Sequence, residues 1–154
     1  MSAGLAILGT GVAGYLWSQG SSWMLYVPIL YFTLMEVLQY ASYVAMRKKD
    51  KSTLKKLTFA TFVHVAFQPV FTLIWMGSFM PPSMRPQLRL LLKLAAAGGL
   101  FYAARSDQIM PIKESDVCNP RTETMCGATS LIKMGTKHLA YLFRMRAPDY
   151  TTPS

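Results

Sequence analysis

Basic residues are missing from the first 46 positions, since no Lys or Arg precedes Arg47, and the 154-residue chain holds only seven acidic side chains and two histidines. A cleavable secretory leader needs a basic n-region and a mitochondrial presequence is Arg-rich and amphipathic, so neither is expected at this N-terminus. The first apolar segment is instead expected to serve as an internal signal. Two histidines, His64 and His138, and two cysteines, Cys118 and Cys126, stand apart from one another, whereas a closed zinc site takes four ligands. Bis-His haem would need both imidazoles at one depth, yet His64 falls in an apolar run and His138 in a basic tail. No Ser or Cys stands in a motif beside a histidine and a carboxylate, so no nucleophilic site is legible. No cofactor and no metal is therefore expected. Cys118 and Cys126 fit two free thiols or one local bridge equally well.

What the chain does have is apolar residues, 52% of the total, gathered into runs and giving a positive mean hydropathy. Runs of this kind argue for a membrane rather than for an ordinary soluble domain. The net charge of +9 arises wholly in loops and in the last two thirds of the chain. Membrane topology explains that placement better than nucleic acid does, so nucleic acid is not expected as a partner.

Two runs dominate. Trp23–Met46 carries no charge except Glu36 and would span roughly 36 Å as a helix. A basic stretch follows, with Arg47, Lys48, Lys49, Lys51, Lys55 and Lys56 against Asp50, and then Leu57–Met80 forms a second apolar run. This pattern predicts a transmembrane hairpin with a basic tip, and the positive-inside rule puts the 47–56 loop on the cytosolic or matrix-like side. Thr33, Glu36, Gln39, Tyr40 and Tyr43 recur at steps of three and four, as do Thr61, His64, Gln68 and Thr72. Glu36 and Gln68 both lie about eleven residues from the loop, so the two stripes are expected to meet inside a helix bundle. An ionisable group in hydrocarbon costs at least about 2.5 kcal/mol on insertion scales, so Glu36 is expected to be neutral, paired or turned to a cavity. The polar cluster is either a proton, ion or ligand site or a set of interhelical hydrogen bonds worth ~0.6 kcal/mol each.

The remaining segments are shorter or more charged. Ala3–Trp17 spans only about 22 Å and carries Gly4, Gly9, Gly11 and Gly14, which suit close helix packing. Trp17, Trp23 and Tyr26 flank the turn that follows, as an interfacial aromatic belt would. Pro69 is expected to kink the second run beside Gln68. Leu88–Ala104 bears Arg89 and Lys93 on one face, with Arg85 one turn earlier, and either spans with snorkelling charges or lies on the surface. The 81–93 stretch places three cations opposite the basic loop. Residues 105–127 read as a polar loop. Leu131, Ile132, His138, Leu139, Leu142 and Phe143, interleaved with Lys133, Lys137, Arg144 and Arg146, predict an amphipathic helix whose basic edges would meet anionic lipid or a protein groove.

The stretches Phe32-Thr-Leu-Met-Glu36-Val-Leu-Gln39-Tyr40, His64-Val-Ala-Phe-Gln68-Pro69 and Cys126-Gly127, with His138-Leu139-Ala140-Tyr141, resemble the signature of a family of uncharacterised multi-pass membrane proteins. The resemblance implies that Glu36, Gln39, His64 and Gln68 belong to one recurring intramembrane constellation.

The expected protein is thus an all-α integral membrane protein with three to four transmembrane helices (about 3–18, 23–46, 57–80 and 88–104). An extramembrane 105–154 region is expected to follow them. Its expected role is that of a small non-enzymatic accessory subunit, with other membrane subunits and anionic lipids as partners. An energy-converting membrane is the expected setting, the mitochondrial inner membrane first and a photosynthetic one second. A channel or transporter module using Glu36 and His64 is the alternative, and an intramembrane metal hydrolase the third reading.

Overall fold

The computed structural model describes residues 2–105 and, as backbone, residues 130–134 and 138–142. Over residues 2–105 the chain is all-helical: α1 (Ser2–Ser18), α2 (Trp23–Arg47), α3 (Lys51–Gly77) and α4 (Arg85–Ala104), with a 3-10 turn at Pro82–Met84 before α4. Helices α2 and α3 are long and apolar enough to cross a membrane.

Their boundaries follow from capping. The 47–56 stretch is not a loop. Asp50 caps α3, its Oδ1 accepting the Thr53 N–H at 3.0 Å and its Oδ2 the Thr53 hydroxyl at 2.6 Å. Those two hydrogen bonds hold the Asp50 carboxyl below the usual carboxylate range, the side-chain one contributing most. The connection therefore shrinks to residues 48–50, with Lys49 at a φ of 54°, and Lys51, Lys55 and Lys56 decorate the first turns of α3. Ser22 starts α2 by accepting the Met24 N–H. Pro28 is tolerated near the start of α2, and α3 continues as one helix through Pro69.

The helices form a row rather than a closed bundle. α1 packs mainly on α2, α2 on α3 and α3 on α4. One consequence is a small interior: Phe62 and Ala103 are buried together between α3 and α4, with Tyr102 tilted against the Phe62 ring at 5.0 Å. Another is a large outward apolar surface, including Ile7, Leu8 and Trp17 on α1 and Leu94, Leu100 and Phe101 on α4.

Three glycines set close approaches in this row, Gly77 against the side-chain ends of Leu88 and Met24, and Gly9 and Gly99 between packed helices. A Cβ on Gly9 would lie 2.1 Å from Thr33 Oγ1, so α1 rests directly on α2 there. A Cβ on Gly99 would lie 2.8 Å from the Ala66 carbonyl oxygen, so α4 sits almost backbone to backbone on α3. Gly4, Gly11 and Gly14, expected to pack alongside Gly9, have open space where a Cβ would stand.

The C-terminal amphipathic helix is not what forms. Ser130–Met134 (β1) and His138–Leu142 (β2) pair as an antiparallel ribbon, with Ser130 opposite Leu142 and Met134 opposite His138. Gly135-Thr-Lys137 between two short apolar runs is a hairpin pattern, and a glycine in mid-segment weakens the helical alternative. Lys133 thus belongs to β1, across from Leu139. Lys137, Arg144, Arg146, Cys118 and Cys126 lie outside the described residues.

Candidate functional site

The polar residues singled out in the two long helices divide between separate environments, and the phase of α2 is the reason. Tyr31, Ser42 and Ala45 recur at helical spacing and share one face, of which Tyr31 meets α3. Thr33, Glu36 and Tyr40 fall roughly opposite Tyr31, on the side that meets α1 through Thr33 and Gly9. The two polar stripes therefore do not face each other as expected.

Glu36, half-buried, lines a cavity of about 330 Å³ with Leu5 of α1, Ile29, Phe32 and Thr33 of α2, and Trp75 of α3. Thr33 spends its hydroxyl on the Ile29 carbonyl at 2.7 Å. Among the described lining residues Glu36 is the only titratable side chain, and apart from Thr33 the others are apolar or aromatic. Such a carboxyl can accept a donor or a cation that enters the cavity, and among the described lining residues no second acid or base stands beside it. Gln39 is half-buried and Tyr40 is exposed.

His64 takes part in a different construction. Its ring is buried, and the Tyr31 ring stacks on it at 4.1 Å and 14°. On its other side Tyr31 stacks on Phe71 at 3.6 Å and 9°, so one ring of α2 is clamped between two rings of α3. The Tyr31 hydroxyl donates to the His64 backbone carbonyl. Nδ1 of His64 and Oγ1 of Thr61, one turn earlier on α3, are buried with no hydrogen-bond partner among the described residues. Thr10, Thr33, Thr58 and Thr72 each donate to the carbonyl four residues back, so Thr61 departs from their habit. Leaving such atoms unsatisfied costs about 1–3 kcal/mol each.

Gln68 is exposed and lines an outward groove of α3 with Val65, Pro69, Thr72 and Leu73. It is not among the residues that line the Glu36 cavity. Among the described residues no three His, Cys, Asp or Glu side chains converge as metal ligands, and His138, the remaining imidazole, is placed on β2. Arg89 and Lys93 are both exposed on α4. The sequence reading passed over Tyr31 and Gly99. Tyr31 stands among apolar residues, where an aromatic gives no sign of which way it turns, and Gly99 is indistinguishable by sequence from its neighbour Gly98.

A family model described as a family of unknown function (DUF5765) matches residues 1–147. No curated protein and no solved structure matches the chain.

Proposed function

The chain belongs to DUF5765, a family of unknown function, and from that premise we propose that it is a membrane-embedded, non-enzymatic helical subunit that works by packing into a larger membrane complex. The observation that carries this reading is the open row. Among the described helices, α1 packs mainly on α2 and α4 mainly on α3, and outward apolar side chains of this extent suit lipid or partner helices rather than water. Gly4, Gly11 and Gly14 supply a second support, because they lie on one side of α1 and leave its backbone open to close approach. In this reading α2 and α3 span, α4 spans with Arg89 and Lys93 reaching toward an interface, and α1 docks partly against partners. An energy-converting membrane, the mitochondrial inner membrane first, is the setting that goes with it.

The test is the native mass of the protein extracted from its source membrane in mild detergent, with mass spectrometry of what migrates with it. The expected result is a band of several hundred kilodaltons with defined partner subunits, whose identities also name the membrane. A monomer or small homo-oligomer overturns the proposal. A second reading, a channel or transporter module, rests on the single carboxyl of Glu36 at its cavity, with any further relay group supplied from outside the described lining, and one variant separates the two. Glu36→Gln leaves the native mass unchanged under both, but abolishes proton flux in proteoliposomes only under the second.

A further inference from the structure

At the end of the α2/α3 hairpin away from Lys48–Asp50, the start of α2, the end of α3 and the start of α4 enclose a cavity of about 620 Å³. Its walls include Trp23, Leu88 and Leu92, and its polar side holds Ser22, Arg85 and Arg89. Arg85 and Arg89 are four residues apart and share one face of α4, and both are exposed. Among the described residues no acid lines the cavity. The acids among the described residues, Glu36 and Asp50, lie in the middle of α2 and at the far tip of the hairpin.

The backbone adds to the charge. Both α2 and α4 begin at this cavity, so two helix N-termini bring partial positive charge to it. Neither first turn contains an acid, and because the Arg85 N–H is held by the Pro82 carbonyl and Pro86 has none, the start of α4 contributes its dipole rather than open donors. Two guanidiniums and two helix starts over an apolar floor match one kind of guest, a phosphate-bearing anion with hydrocarbon attached.

The geometry points to this cavity as a seat for the headgroup of an anionic phospholipid, with Arg85 and Arg89 on the phosphate and the acyl chain running along Trp23, Leu88 and Leu92. The seat also accounts for Arg85 and Arg89 lying at the end opposite the basic tip, against the positive-inside pattern. They serve a bound lipid rather than topology. Because it concerns the isolated chain, this site stands or falls independently of partner subunits.

The experiment is native mass spectrometry of the purified full-length protein in detergent, titrated with phosphatidylglycerol or with phosphatidylcholine. The expected result is preferential retention of phosphatidylglycerol, reduced roughly 30-fold by Arg85→Gln with Arg89→Gln, from about fivefold per cation near an anionic headgroup layer. Lys51→Gln with Lys55→Gln, at the other end of α3, is expected to leave retention unchanged. Arg85→Lys with Arg89→Lys keeps the charge and is expected to keep the preference. Should the glutamine pair lose helical circular dichroism, the lysine pair decides, and loss of the preference in a folded lysine pair overturns the seat. Equal retention of the two lipids, or full retention by a folded glutamine pair, also overturns it. So does displacement of phosphatidylglycerol by millimolar inorganic phosphate, which would mark a site for the free anion.

Discussion

Tyr31 is the residue on which the α2/α3 contact turns. Its ring fills the space between His64 and Phe71, and its hydroxyl donates to the His64 backbone carbonyl on the neighbouring helix. These contributions separate by substitution. Tyr31→Phe keeps both stacks and removes one interhelical hydrogen bond, an expected loss of about 0.6 kcal/mol. Tyr31→Ala removes both stacks and leaves a gap, an expected loss of about 3 kcal/mol or more. Reversible unfolding in mixed micelles measures both, and a Phe variant as damaged as the Ala variant would show that the hydroxyl, not the stack, joins the helices. His64 was legible as a special residue because imidazole is rare in an apolar run. Its partner was not, because Glu36 and Gln39 were the polar groups in view while the side chain that meets it is an aromatic among many.

The four helices were legible because each is a local property of its own segment, a run of apolar residues ending in a turn. How closely two of them approach is a different matter. Gly98 and Gly99 are adjacent and identical in sequence terms, yet only Gly99 meets α3, where the Ala66 carbonyl and the Phe67 ring leave no room for a Cβ. A backbone oxygen cannot rotate aside, so Gly99→Ala is expected to push α4 away and cost about 1–3 kcal/mol. Gly98→Ala faces open space and is expected to be neutral or to stabilise by up to about 1 kcal/mol through helix propensity. Thermal melts of the two variants check the pair, and equal melting temperatures would sink the claim of contact. Capping shows the opposite case. Asp50 followed by Thr53 is a local signal for a helix start, and attention to the lysines around it hid that signal.

Taken whole, the row places residues 48–50 at one end of α2 and α3 and residues 78–82 at the other, roughly 40 Å apart for a helix of this length. If both helices span, the ends lie on opposite sides of a bilayer. Single cysteines at Lys49→Cys and at Ser78→Cys, in a background carrying Cys118→Ser and Cys126→Ser, are expected to react with an impermeant maleimide from opposite sides of sealed vesicles. Labelling of both from the same side would rule out a spanning hairpin. The ribbon of β1 and β2 shows where local reading of the tail failed. Leu131, Ile132, Leu139 and Leu142 fit a helical period when Gly135 is ignored, and a strand pair when it is given its weight.

By itself the sequence determined that this chain forms helices over most of residues 2–105 and that two of them are long and apolar enough to cross a membrane. Hydrophobic run length and helical hydrogen bonding act within a segment and need no knowledge of its neighbours. Only the tertiary structure decided that Glu36 and His64 face different surroundings, that Gly9 and Gly99 are contact points while Gly4 and Gly11 are not, and that Arg85 and Arg89 meet two helix starts at one cavity. Each of these depends on the rotation of a helix about its axis. In an apolar run several faces are almost equally hydrophobic, so rotation is chosen by the fit of rings and backbones contributed by other segments.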